Sequence, residues 1–135
     1  MPPRRRIPAD QGAEALAAWQ ADPAAPRQMV ATAVRYTLEE LGARHPGRSL
    51  EVRVPPYGAV QAVEGPVHTR GTPPSTVETD ATTWLQLATG ALTWTAAVSG
   101  GRVRASGQRS DLTSLLPLAP GAGTAGASSD QEDLV

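Results

Sequence analysis

Between residues 26 and 45, side chains of low polarity recur at Val30, Ala33, Val34, Thr37, Leu38 and Leu41, the spacing that lays one continuous stripe along a helix. Pro26 suits the first helical position because its fixed φ is already helical, and Pro46 stops continuation. The stripe predicts a helix packed on a sheet. On its wet side Arg35 and Glu39 stand one turn apart and are expected to pair, and Arg44 and His45 lie beside the negative end of the helix dipole. The period then drops to two, with Leu50, Val52 and Val54 alternating with Glu51 and Arg53. Pro55-Pro56-Tyr57-Gly58 offers a turn and residues 59–64 return, so a hairpin is expected. After the loop GPVHTRGTPP, residues 75–79 form a short strand.

Residues 79–107 waste almost nothing. Asp80 is placed to cap a helix that presents Trp84, Leu87, Ala88 and Ala91 at helical spacing and stops at Gly90. Thr93 caps a second short helix with Trp94, Ala97 and Val98 on one face, ending at Gly100 and Gly101. Val103 and Ala105 then alternate with Arg102, Arg104 and Ser106 as a half-buried strand. Past Gly107, Asp111 caps a last turn whose Leu112, Leu115 and Leu116 face one way before Pro117 ends it. Upstream, Asp10 is expected to cap a helix reaching residue 21, with Leu16 and Trp19 as its bulky apolar residues. The pattern predicts a solvated arm over 1–9, one α/β (α+β) domain over 10–117 and a tail over 118–135 that is too poor in aliphatic residues to order itself. The domain is expected to hold a mixed, twisted sheet of four or five strands covered by helices.

Composition narrows the function classes. A chain of 135 residues with net charge −1 carries no global field for nucleic acid or an anionic membrane. With no cysteine it has no disulfide, thiolate ligand or thiol nucleophile. Arg4-Arg5-Arg6 is followed by Pro8, Asp10 and Gln11 rather than an apolar run, so an export signal is not expected and the protein is placed in the cytoplasm. No apolar stretch approaches the roughly 18 residues that would span a bilayer.

Candidate chemistry is sparse. Residues 42–49, GARHPGRS, match phosphate-loop spacing if Arg48 replaces lysine, but a helix precedes and a strand follows, the reverse of what phosphate binding needs. The two histidines, His45 and His68, have no ligand partner at metal spacing, and no serine sits in a G-x-S-x-G elbow. No metal, cofactor or catalytic group is expected. His68 and Arg70 share a loop with Thr69 and Thr72 and are candidates for an anionic head group, against the simpler reading of a solvated loop. Trp84 and Trp94 either fill the core or line a cavity in it, core filling being the simpler reading. The absence of Phe leaves room inside.

The run from capped helix through Gly90-Ala91-Leu92, a second short helix and Gly101-Arg102-Val103 to a strand ending at Ser106-Gly107 resembles the signature region of the sterol carrier protein type 2 superfamily. The resemblance covers about residues 30–116 and is closest to single-domain bacterial members. It implies an SCP-2-like fold with helices over one sheet face and an apolar tunnel that takes lipids, without catalysis. Carried onto this chain, the tunnel lining is expected from Trp84, Leu87, Ala88, Leu92, Trp94, Val98, Val103, Leu112, Leu115 and Leu116. The implied partner is an apolar small molecule such as a fatty acid, acyl-CoA or polyisoprenoid lipid, with transient membrane contact and no nucleic acid, the oligomeric state being left open. Two alternatives stand beside it: an accessory domain related to the C-terminal module of thiol-dependent isomerases, and a partner-binding module with Arg-lined edges and a filled core.

Overall fold

A computed structural model of the chain describes residues 6–65 and 75–118. Its elements run α1 (Ala9–Ala21), α2 (Arg27–Arg44), β1 (Leu50–Val54), β2 (Gly58–Ala62), β3 (Ser75–Thr79), α3 (Ala81–Thr89), α4 (Trp94–Ser99) and β4 (Val103–Ser106). The four strands form one mixed sheet in the order β2-β1-β3-β4. Within it β1 pairs antiparallel with β2 as the expected hairpin, parallel with β3, and β3 pairs antiparallel with β4. This is the α/β architecture, with a four-stranded sheet, that the sequence pattern implies.

The alternation in β1 works as predicted, since Leu50, Val52 and Val54 are fully buried while Arg53 is exposed. They meet the stripe of α2, where Ala33, Val34, Leu38 and Leu41 are buried with Thr37 among them. Burying one such aliphatic side chain contributes about 1.5–3 kcal/mol, so the packing of helix on sheet outweighs any intrinsic preference of α2 for helix. Helix α1 lies on α2 through Ala15, Leu16 and Trp19. The two helices approach so closely at Gly12 that any β-carbon there would overlap the ring of Tyr36.

Two short helices are defined by their caps. Asp80 accepts the backbone N–H of Thr83 at 2.8 Å and the Thr83 hydroxyl at 3.0 Å, and α3 stops at Gly90 with φ 87°. Thr93 accepts the N–H of Ala96 at 3.1 Å to start α4. Replacing Asp80 with alanine orphans an N-terminal donor of α3, an expected loss of about 1 kcal/mol. Thermal melting should fall by about 4 °C. An unchanged midpoint would show that the cap contributes nothing.

The structure departs from the sequence expectations in several places. Helix α1 begins two residues earlier than expected, with Pro8 as its N-cap in place of Asp10, so Asp10 lies inside the first turn and its carboxylate accepts the N–H of Gln11, at 2.9 Å. Arg35 and Glu39 do not pair: Arg35 Nε donates to the Tyr57 carbonyl at 2.9 Å, and Glu39 Oε1 accepts the N–H groups of Arg6 and Ile7, each at 3.0 Å. Residues 6 and 7, expected in a solvated arm, are thereby held on α2. The i, i+4 ion pair on this helix is Glu40 with Arg44. Pro26 caps α2 instead of occupying its first turn. Ala91 lies past the end of α3 and is exposed, and in β4 Ala105 is exposed as well, Val103 alone of that strand being half-buried. The last turn is not a helix: Asp111 closes on the N–H and hydroxyl of Thr113, and Leu115 N–H returns to Leu112 O at 2.9 Å. Leu118, left to the tail by the pattern, is 1 % exposed and belongs to the core.

Candidate functional site

Four of the ten residues expected around an interior space have almost no surface to give it. Trp84, Ala88 and Leu112 are fully buried and Leu87 is 1 % exposed, so no water-sized space borders the first three and almost none the fourth. The polar end of Trp84 is satisfied too, its indole N–H donating to Thr37 Oγ1 at 2.8 Å. Thr37 in turn donates to the Ala33 carbonyl at 2.8 Å. Trp84 is therefore a core residue with a buried polar anchor.

The other six candidates differ in exposure. Trp94 is nearly buried, and Leu92, Val103, Leu115 and Leu116 are half-buried against the core. Val98, expected on the inner face of α4, is 47 % exposed and points to water, because so short a helix covers the core with Trp94 and Ala97 alone. The segment 112–118 lies over the C-terminal end of α3. There Leu118 N–H donates to the Ala88 carbonyl at 2.8 Å, and Gly90 faces the Pro117 ring. The Thr113 hydroxyl, then the Thr113 amide, hold the Asp111 carboxyl below its ordinary value. The Asp111 turn is thus favoured at neutral pH and loosens only as acid protonates that carboxylate.

His68 and Arg70, the head-group candidates, lie outside the described residues together with Thr69 and Thr72, as do residues 1–5 and the tail from 119. His45 closes α2: its N–H bonds to the Leu41 carbonyl at 2.9 Å and its own carbonyl accepts from Val63 at 2.6 Å. The helix-before, strand-after order at residues 42–49 matches the sequence reading that set the phosphate loop aside. Among the described residues no cluster of three or more His, Asp or Glu could hold a metal ion, and no helix is long and apolar enough to cross a membrane.

Sequence reasoning missed the open ground along β2, an outer strand of the sheet. One groove of about 640 Å³ runs between Pro46, Gly47 and Arg48 on one side and Ala59, Val60 and Gln61 on the other, with Glu64 at its end. A second, of about 570 Å³, lies between Arg6 and Ile7, α2 at Arg35, Leu38 and Glu39, and residues 57–60. Both are lined by Ala59 and Val60, so the two grooves flank the same stretch of β2 and together make up the β2 channel. Tyr57 lines the second of them, with the Arg27 guanidinium 6.0 Å above its ring. A smaller hollow of about 300 Å³ lies where β3 passes into α3. Its polar groups are partly engaged at home, Asp80 as a cap and Arg102 with Gln86 at 2.9 Å. The one sequence signal for the β2 channel is the uncharged run GAVQA in a chain otherwise rich in arginine. It acquires meaning only once β2 is known to be an edge.

No curated protein matches the chain. The family described as Bacterial SCP ortholog matches residues 26–118, a span that opens at the N-cap of α2 and closes on the buried Leu118. The chain therefore belongs to the bacterial SCP, or sterol carrier protein, ortholog family.

Proposed function

We propose that the protein is a non-catalytic binder or carrier of an apolar ligand, a fatty acid, acyl-CoA or other lipid, acting in the cytoplasm. Family membership across residues 26–118 is the observation that carries this reading. Because Trp84, Ala88 and Leu112 border no empty space, the ligand enters by displacing something. The segment 112–118 is the element to move. Its attachments are the Asp111 turn, one backbone bond to Ala88 and a short row of leucines, and elements with so few anchors open at the lowest cost. Lifting it would bare the C-terminal half of α3 and let Leu115 and Leu116 turn from packing on the core to packing on a chain.

Each buried methylene contributes about 0.8 kcal/mol, so a twelve-carbon chain offers roughly 10 kcal/mol against an association cost of about 4–15. Affinity is expected to be no tighter than micromolar and to rise with chain length. Displacement of a fluorescent fatty acid by unlabelled acids of eight to eighteen carbons measures this. Leu115→Asp should abolish uptake while the protein still melts cooperatively. Equal displacement at every length would sink the proposal.

A second reading, a partner-binding module with a filled core, is favoured by the buried, hydrogen-bonded Trp84. Native mass spectrometry of the purified protein separates the two: co-purifying lipid supports the carrier, a clean apo mass the partner module.

A further inference from the structure

Strand β2 has the chemistry of an edge that is meant to be paired. Ser75 N–H donates to the Ser49 carbonyl at 3.1 Å and Tyr57 N–H to the Val54 carbonyl at 2.8 Å, so Glu51 and Arg53 turn their backbone groups toward β3 while Val52 and Val54 turn theirs toward β2. In the antiparallel register that pairs Val52 with Val60 and Val54 with Gly58, alternation then turns the backbone groups of Gly58, Val60 and Ala62 toward β1 and those of Ala59 and Gln61 outward. Among the described residues, no backbone bond outside the ladders ends on Ala59 or Gln61. Outer strands are usually protected by charge, proline or brevity. The other edge follows that rule, since β4 has four residues and carries Arg104. Strand β2, with five uncharged residues, GAVQA, does not.

Charge decides the partner. The channel beside β2 is rimmed by Arg6, Arg35 and Arg48, all exposed. Arg6 and Arg48 have no side-chain partner among the described residues, and Arg35 spends only its Nε on Tyr57. Of the two carboxylates present, Glu39 already accepts two backbone amides, which leaves Glu64. In a chain of net charge −1 this is a local excess of positive charge. Self-pairing is disfavoured on the same ground. An antiparallel β2–β2 contact would set the Arg48 end of one copy against the Arg6 and Arg35 end of the other, and a parallel one would set Arg48 against Arg48.

We propose that the open edge of β2 is a docking site for an extended acidic peptide, which joins the sheet as a fifth strand and sets its carboxylates against Arg6, Arg35 and Arg48. Backbone bonds to Ala59 and Gln61 supply affinity, and the two grooves flanking Val60 receive alternate side chains. None of residues 112–118 lines either groove, and the inference does not rest on the carrier reading.

The test is fluorescence anisotropy with a labelled Glu-Val-Glu-Val-Glu-Val peptide and no lipid present, so its outcome is independent of lipid uptake. A saturable rise is expected that weakens as salt is added. Methylating alternate backbone amides of the peptide should weaken binding about tenfold, because each lost hydrogen bond contributes about 1 kcal/mol. The lysine counterpart should not bind, and Arg48→Glu should weaken the acidic peptide several-fold with an unchanged melting curve. Amide NMR shifts should concentrate on residues 58–62. The proposal is overturned if N-methylation and Arg48→Glu both leave binding unaltered, if no saturable rise occurs, or if the shifts fall elsewhere. It is equally overturned if sedimentation finds a dimer whose β2 amides are protected without peptide, since the edge would then belong to a second copy.

Discussion

Truncating Trp84 to alanine is expected to remove about 3–5 kcal/mol of folding free energy, the range for a large aromatic in a packed core. The indole is fully buried where α3 crosses α2, and its only polar atom is satisfied by Thr37. Against a typical domain stability of about 5–15 kcal/mol this is about a fifth of the total or more. The melting midpoint should fall by roughly 12–20 °C. Thr37→Val tests the anchor separately: it leaves a buried N–H without a partner and should cost about 1–3 kcal/mol. Combined with Trp84→Phe, which removes the donor, it should cost less than the two single changes added together, because each then breaks the same bond. A loss below 1 kcal/mol for Trp84→Ala would mean that the indole borders yielding space, as a preformed tunnel requires.

The second large effect is expected at Gly47, in the connection between α2 and β1. Its φ is 154°, and an added β-carbon would run into the backbone carbonyl of Val63 and the amide of Glu64. Backbone atoms cannot swing aside as a side chain can. The Val63 carbonyl also accepts from Ser49 N–H and, at 2.6 Å, from Ser49 Oγ, while Val63 itself is a β-branched residue at φ 69°. Gly47→Ala must therefore break this junction or strain it further, a cost of about 3 kcal/mol or more. Gly58→Ala is the matched control. Its β-carbon would meet Leu38 Cδ1 at 3.7 Å and Arg35 Cγ at 3.8 Å, ordinary contact distances, so a change within about 0.5 kcal/mol is expected. Chemical denaturation of the two variants side by side measures the contrast, and equal stabilities would refute it.

Local chemistry was legible wherever the deciding partners are close in the chain. The stripe of α2, the alternation of β1 and the strand 75–79 depend on period alone. The caps Asp80 and Thr93 and the stop at Gly90 depend on neighbours within three residues. The misses share a different cause. Glu39 is claimed by amides more than 30 residues away rather than by Arg35 one turn on, a competition that no spacing rule can see. Val98 and Leu118 exchange their expected places because burial depends on which element lies above them: Val98 is left half exposed on the short α4, while the Ala88 carbonyl receives the Leu118 N–H. The site divides in the same way. Apolar identity at Trp84, Leu87, Ala88 and Leu112 correctly marks an inward face, but the same letters describe a face that borders a void and one that borders a neighbour. The β2 channel requires the strand order, which only the folded chain supplies.

Each of the three tryptophans stands on a different helix, Trp19 on α1, Trp84 on α3 and Trp94 on α4. The family match begins at residue 26, so α1 lies outside it and is seated by Ala15, Leu16, Trp19 and the close approach at Gly12. An optical label for this helix is thus native to the chain. With Trp84 and Trp94 silenced as phenylalanine, the emission of Trp19 reports whether α1 is docked, separately from whether the domain beneath it is folded. A helix outside the matched span can then be followed apart from the residues it packs on, in a protein whose own side chains supply the probe.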